Sequence, residues 1–326
     1  MSTFADPPLL SPNTIIATFM RTARALGLAL PAIKKIFGHL NTDKQLNKVF
    51  AGYEPSAHDV FVATHPKSGT NWMMQMTTQI AWKGEAEFEH IHRVAAWPEA
   101  GFAGIVGLRD PGPWERSPTG KRAIKTAIPS RFVPYGEEAT YISVIRDPKE
   151  VFVSSYLFLF RVFNLFDDIT MEQWLDLFLT PDYPSGSWAD HTASYWAWRD
   201  RPNVRVLCFP ELKRDLPGAV DRVADAMKVS LTEAERARVL ERCSFEHMRA
   251  NEDKFAPPHM LFTPKRATMV RSGKTGGSGE LLSRAQQARI DRHFQAELQQ
   301  LGCDFPYAEV FDVVVDDSEP AAADGR

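Results

Sequence analysis

The sequence predicts a single α/β domain with a central, mainly parallel sheet flanked by helices. Two observations carry that expectation. From about residue 58, short apolar strand patterns alternate with amphipathic helical patterns, the order that builds a parallel sheet covered on both faces. The first apolar run, Val60-Phe61-Val62-Ala63, also passes through a Gly/Ser/Thr turn straight into a helical pattern, with Trp72, Met76 and Ile80 spaced four apart. The chain has 326 residues, enough for one large core, and its 44% hydrophobic and 24% charged content is that of an ordinary soluble globular protein.

The elements follow in order. Residues 1–44 read as an N-terminal amphipathic helical extension. Residues 14–40 look helical, with Ile15, Ile16, Phe19, Ala23 and Leu26 on one side and Pro31 interrupting the pattern. Arg21, Arg24, Lys34 and Lys35 make this segment basic. Such a helix either docks on its own domain or lies on a membrane surface, and the short, interrupted pattern favours docking. Residues 45–310 form the domain, with strands expected at Val60–Thr64, Arg122–Thr126, Tyr141–Ile145 and Val204–Phe209. Capping boxes at Thr170/Gln173, Thr232/Glu235 and Ser283/Gln286 mark helix starts, as does Asp147 before Pro148. Residues 111–120 and 181–187 read as loops, and 255–282 as a long glycine-rich loop of the kind that carries function. Residues 311–326 form an acidic, Ala/Asp-rich tail, expected to be disordered.

Composition excludes several classes. A net charge of −3 argues against wholesale nucleic-acid binding. Cys208, Cys243 and Cys303 are far apart, match no metal spacing and read as reduced thiols in a cytoplasm. No apolar run is long enough to cross a bilayer, and the first residues do not read as a secretory leader.

The chemistry centres on Thr64-His65-Pro66-Lys67-Ser68-Gly69-Thr70-Asn71-Trp72. A strand, a tight turn and a helix start cradle a phosphate, because backbone N–H groups and the positive helix end face the anion and a lysine adds full charge. In the usual nucleoside-triphosphate loop the lysine follows the last glycine, whereas Lys67 precedes Gly69. A second element, Arg146-Asp147-Pro148, sits at the end of the Tyr141–Ile145 run, where open α/β sheets bind ligands. A guanidinium there suits two phosphate oxygens, and Ser154, about two turns into the helix, can add a hydroxyl.

The run Pro66-Lys67-Ser68-Gly69-Thr70-Asn71-Trp72 resembles the 5′-phosphosulfate loop of the sulfotransferases that use 3′-phosphoadenosine 5′-phosphosulfate (PAPS). The stretch from Arg146 to Ser154 resembles their 3′-phosphate element. The likeness spans about residues 45–310 and implies a P-loop-like sulfotransferase fold. It also implies transfer of a sulfuryl group from PAPS to a hydroxyl or amine of a small organic acceptor, with no metal. On it, Lys67, Ser68, Gly69, Thr70 and Asn71 hold the 5′ end, Arg146 and Ser154 the 3′-phosphate, and Trp72 stacks on adenine. Cys243-Ser244-Phe245-Glu246-His247-Met248 resembles an adenine-contacting stretch, so Phe245 is either a stacking partner or core. Arg271-Ser272-Gly273 stands where the family has an Arg-Lys-Gly lid, with Lys274 close by. Phe209 replaces a cofactor-contacting tyrosine. The family's second catalytic lysine corresponds to Lys125.

One departure matters most. The segment Lys125-Thr126-Ala127-Ile128-Pro129 has alanine where the family has its catalytic histidine. A positioned base contributes roughly 10²–10⁴-fold, so its loss slows an enzyme without abolishing binding. Three explanations stay open. One is another base, with His65 and His92 (paired with His90 in Glu89-His90-Ile91-His92-Arg93) as candidates. The second is an acceptor that needs no base. The third is a catalytically impaired PAPS-binding pseudoenzyme. A kinase or NTPase is disfavoured by the absence of a Gly-Lys-Ser/Thr ending. Trp97, Phe102, Phe158 and Phe160 suggest an apolar or aromatic acceptor pocket, or core. A homodimer is left open.

Overall fold

The computed structural model describes residues 12–100, 104–110, 112–257, 268–270 and 276–315. A four-stranded, wholly parallel sheet has the order β2-β1-β3-β4. Its strands are β1 Asp59–Thr64, β2 Arg122–Thr126, β3 Thr140–Ile145 and β4 Val204–Cys208. Runs of Val, Ile, Phe and Tyr suit a sheet covered on both faces, which is why the expected strands fall within a residue of these. β4 stops one residue early because Phe209 opens a helix, with Pro210 in its first turn.

Three helices precede the sheet: α1 Pro12–Ala25, α2 Ala29–Leu40 and α3 Asp43–Val49. α4 Thr70–Ala81 follows β1, and α5 Pro148–Phe163, α6 Met171–Phe178 and α7 Trp188–Trp196 lie between β3 and β4. After β4 come α8 Phe209–Arg214, α9 Leu216–Ala226, α10 Glu233–Arg242, α11 Phe245–Ala250, α12 Arg284–Gln300 and α13 Tyr307–Val310. All three expected capping boxes form, and Asp147 accepts from the Lys149 N–H at the head of α5. These caps satisfy N–H groups that the helix itself leaves unpaired. The expected loop at 111–120 contains a short 3-10 turn, Pro113–Arg116.

Strand alternation divides the core. Val60, Val62, Ile142 and Val144 face α4, α9 and α10, packing with Met73, Ile80, Val220 and Val239. Phe61, Ile124, Tyr141 and Val204 face the other way. The Phe61 and Tyr141 rings stack with centroids 4.8 Å apart. A larger cluster around Phe152, Trp174, Trp188 and Phe294 joins α5, α6, α7 and α12.

The N-terminal segment differs from expectation in one respect. The break falls at Gly27, whose φ of +69° a glycine adopts without strain. Pro31 instead sits in the first turn of α2, where its missing N–H costs nothing. The expected apolar side is also split. Ile16, Met20, Ala23 and Ile33 join the large cluster, while Ile15, Phe19 and Leu26 stay exposed. Arg24 pairs with Asp168 at 2.5 Å, and Asn41 donates to the Pro184 carbonyl at 3.0 Å. Among the described residues no helix is long and apolar enough to cross a membrane.

At the other end, Phe311 is buried in the same cluster. The fully buried Asp291 anchors this region. Its carboxylate accepts from Lys149 Nζ at 2.5 Å, the Tyr307 hydroxyl at 2.6 Å and the Val314 N–H at 2.8 Å. The first residues of the expected tail, up to 315, are therefore held on the body. Removing one partner of a buried ion pair strands the other charge. Asp291→Ala is expected to lower the unfolding free energy by about 3–5 kcal/mol, read by urea denaturation. A loss below about 1 kcal/mol would show that Lys149 finds full compensation elsewhere.

Candidate active site

Because the sheet is parallel, β1, β2 and β3 all end on the same edge, with β1 between the other two. The turn after β1 holds residues 65–69. Lys67 has φ +71° and Gly69 φ +96°. A Cβ on Gly69 would lie 2.9 Å from the Phe209 ring, so the turn requires glycine for both space and conformation. The Thr64 and Thr70 hydroxyls are hydrogen-bonded across the turn at 2.5 Å. The Asn71 amide donates to the Phe255 carbonyl at 3.2 Å. Ser68 is fully buried, and its Oγ has no hydrogen-bond partner among the described residues. A buried, unpartnered hydroxyl in a turn at a helix N-terminus fits a phosphate-type acceptor.

Arg146, at the end of β3, reaches this turn. Its Nη1 donates to the Lys67 carbonyl at 2.8 Å, its Nη2 meets Glu150 at 2.8 Å, and its guanidinium lies 4.6 Å from the Phe209 ring centroid. Ser154 is partly buried on α5, the helix that Asp147 caps. Trp72 meets Phe209 edge-on with centroids 5.8 Å apart, and its indole N–H donates to the Cys243 carbonyl at 2.8 Å. Phe245 is 37% exposed, so the reading of it as core is corrected. Phe209, noted in the sequence only for a missing hydroxyl, touches the turn, Trp72 and Arg146 together.

Both expected lysines lie at this edge and carry weakened charge. Lys67 Nζ sits 3.9 Å from the Phe158 ring centroid and 3.7 Å from Met269 Sδ. Burial, reinforced by Arg146 and Lys125, pulls its pKa down to about 7. Lys125 pairs with Val62 in the β1–β2 register, and its Nζ lies 3.1 Å from the Trp97 ring centroid. Burial lowers its pKa to about 7 as well, against the opposing pull of Glu99. Of the aromatic residues expected to line an acceptor pocket, Trp97 and Phe158 thus face the two lysines. Phe160 is fully buried against Trp174 and is core. Phe102 lies outside the described residues.

The two expected histidines are held differently. His65 is buried, edge-on to His191 at 5.8 Å, and burial drops its pKa to about 4. His90 and His92 are not in an extended strand, since His92 belongs to a 3-10 turn that His90 caps. His90 is tied to the Ala256 carbonyl at 2.9 Å and to the His92 N–H at 3.2 Å. His92 contacts the Ala95 carbonyl at 3.2 Å and stacks on Trp97, and its pKa is pushed well below the usual value by burial and by Lys125.

Glu99 is the residue that the sequence did not single out. A parallel bridge between Ala96 and Ile124 lays the preceding chain beside β2. Glu99 Oε1 then accepts from the Thr126 hydroxyl at 2.5 Å and from the Ala127 N–H at 2.8 Å. Its Oε2 is buried with no hydrogen-bond partner among the described residues. Burial raises its pKa, with Lys125 pulling the other way. A lone carboxylate in a Trp-Pro-Glu-Ala connection carries no sequence signal of its own.

Arg271, Ser272, Gly273 and the nearby Lys274 lie outside the described residues. The residues just before them do reach the site. The Met269 and Val270 N–H groups donate to Glu252 Oε1, and Met269 meets Lys67. Among the described residues no group of His, Cys, Asp and Glu is placed to hold a metal ion.

The chain is similar to known proteins. A family model described as "Sulfotransferase domain" matches residues 57–302. Sulfotransferase 2A1 of Macaca fascicularis is 26% identical over 263 residues, covering 78% of this chain and 90% of the relative. A 3-alpha-hydroxysteroid sulfotransferase of Cavia porcellus is 26% identical over 251 residues, covering 74% and 83%. Among solved structures, retinol dehydratase in complex with retinol and PAP has a TM-score of 0.66 at 20% identity, covering 81% of this chain and 87% of that one. A mouse sulfotransferase complexed with PAP has a TM-score of 0.61 at 22% identity, covering 81% and 94%. At these identities the structural likeness bears on the fold.

The tight contact at Gly69 gives a direct test of the turn. Gly69→Ala is expected to cost about 1–3 kcal/mol of stability, from a residue held at positive φ and pressed on Phe209. Urea denaturation measures it, and adding Phe209→Ala should recover only part of the loss. Full recovery would mean that the backbone conformation carries no strain.

Proposed function

The chain belongs to the sulfotransferase domain family, and we propose that it moves a sulfuryl group from PAPS to a hydroxyl or amine of a small, apolar or aromatic acceptor. The observation that carries this reading is the convergence of Lys67, Lys125 and Arg146 on one sheet edge, around a turn with a buried, unpartnered Ser68 hydroxyl. Sulfuryl transfer needs donor and acceptor held in line and the charge on the leaving phosphate neutralised. PAPS supplies the activated sulfuryl group when bound.

On this reading, backbone N–H groups of Gly69, Thr70 and Asn71, with the Ser68 hydroxyl, hold the 5′ end, while the Ser68 N–H closes the turn on the His65 carbonyl. Lys67 neutralises the charge that develops on the leaving oxygen, and Lys125 supplies a second positive charge from β2. Arg146 and Ser154 take the 3′-phosphate. Because Arg146 also holds the Lys67 carbonyl, recognition of one end of the nucleotide is tied to the shape of the turn at the other. Trp72 and the exposed Phe245 offer faces to adenine, where stacking on an aromatic ring contributes about 1–3 kcal/mol. Arg271, Ser272 and Gly273 belong to the same reading as nucleotide-binding residues, on the motif they resemble.

The acceptor side rests on Trp97 and Phe158, whose ring faces lie against the two lysines. An apolar alcohol or phenol fits them. A relative is named for a hydroxysteroid, and solved neighbours are titled with retinol and androsterone. His65 and His92 are weak choices for the base, since a base works best with a pKa near the operating pH and burial lowers both. A cytoplasmic setting belongs to the same reading, supported by three free cysteines. So does a role for the N-terminal helices as a docked cover on the domain.

Lys67→Ala is expected to cut turnover by about 10²–10³-fold with the fold intact, measured as PAP release from PAPS alongside the circular dichroism spectrum. Unchanged turnover would overturn the assignment. The lysines also predict a pH effect. Each has a pKa near 7 in the free chain, and a bound phosphate favours the charged form and raises it. Above neutral pH, PAP binding should therefore take up protons, and affinity should fall as pH rises through this range. Calorimetry in two buffers of different ionisation heat reads the uptake. No uptake would mean that the lysines are already fully charged in the free protein.

A further inference from the structure

Glu99 has an arrangement that a structural carboxylate does not need. One oxygen is used twice, by the Thr126 hydroxyl and the Ala127 N–H, and this fixes the group at the carboxyl end of β2. The other oxygen is buried with no hydrogen bond among the described residues. A carboxylate has about four acceptor positions, so Oε2 keeps lone pairs that no group among the described residues meets with a hydrogen bond. A buried polar atom in that condition costs free energy and calls for a functional account.

Its surroundings point to one. Ala127, whose backbone holds Glu99, has no side chain able to take a proton. Lys125 is one residue from Thr126 and acts electrostatically on Glu99 and on Lys67 alike. Trp97, two residues before Glu99, lays its ring under Lys125. The register Ala63↔Thr126 sets this group beside the strand that leads into the Lys67 turn. Tyr195 also feels Glu99 electrostatically, but its hydroxyl is committed to the Ile128 carbonyl at 3.1 Å.

We propose that Glu99 is the general base of this enzyme, with Oε2 accepting the proton of the acceptor hydroxyl. As the acceptor oxygen bonds to sulfur, its O–H bond gives the proton to Glu99. The bond between sulfur and the 5′-phosphate oxygen breaks, and its electron pair leaves on PAP, beside Lys67. The proton passes to water after products depart. Burial favours this role, because it moves the carboxylate's proton affinity toward that of a useful base, while the same burial weakens His65 and His92.

The inference rests on the sulfuryl-transfer reading, and the test separates the two. Wild type, Glu99→Gln and Glu99→Asp are each given PAPS and one of three acceptors of rising acidity: androsterone, 2-naphthol and 4-nitrophenol. PAP affinity is measured for each protein as a control on fold and nucleotide site. A lost base matters most for the acceptor that least readily gives up its proton. Glu99→Gln should therefore lower kcat for androsterone by about 10²-fold or more, for 2-naphthol less, and for 4-nitrophenol hardly at all, with PAP affinity unchanged. Glu99→Asp, which keeps the charge but shortens the reach, should show the same order with smaller losses. Equal losses for all three acceptors in both variants would mean a structural role, and no loss would mean that Glu99 is a bystander. Either result overturns the inference. A wild-type chain that binds PAP and turns over none of the three would instead overturn the sulfuryl-transfer reading itself.

Discussion

The hydrogen bond from Arg146 to the Lys67 carbonyl ties the end of β3 to the turn after β1. Much of the site depends on that link. Lys67 has a positive φ, a conformation that L-residues avoid, and the turn persists because its neighbours over-determine it. Arg146 holds it from one side. Phe209 fills the space beside Gly69, and Trp72 locks the following helix to the Cys243 carbonyl. The parallel sheet makes this possible, because only a parallel order delivers three strand ends and their loops to one edge.

Burial then sets the chemistry. Lys67 and Lys125 are placed against aromatic faces rather than fixed carboxylate partners, although Glu99 and Glu252 act on them electrostatically. A ring face attracts a cation without neutralising it, so the charge stays available to an incoming anion. The same low-polarity surroundings that lower the lysines raise Glu99. Burial thus draws both lysines down to about 7 and moves Glu99 upward, the kind of perturbation found where protons are exchanged during a reaction. The contrast with Asp291 is instructive. There Lys149 and Asp291 meet directly at 2.5 Å, and the pair is structural.

Much of this was legible in the sequence because it is local. The strands are short apolar runs, the capping boxes are four-residue patterns, and the phosphate turn is one contiguous motif. Family membership followed from the same local motifs. The harder features are long-range. Glu99 reaches Ala127 only through the bridge between Ala96 and Ile124. Phe209 meets Gly69 across 140 positions of chain, and periodicity gives no hint of it. Competition between local signals explains other misses. The sequence pattern breaks at Pro31, whereas the helix itself breaks at Gly27. Proline is harmless in a first turn, so the glycine prevailed. Phe158 and Phe160 are indistinguishable as neighbours in sequence, yet one faces Lys67 and the other the core.

The central claim is that this edge of the sheet moves a sulfuryl group although alanine occupies position 127. The most direct test incubates the wild-type chain with sulfur-labelled PAPS and a mixed panel of phenols, alcohols, steroids and amines. The account predicts that label leaves the nucleotide and appears on an organic acceptor, in step with PAP release. A chain that binds PAP tightly while the label stays on the nucleotide would contradict it.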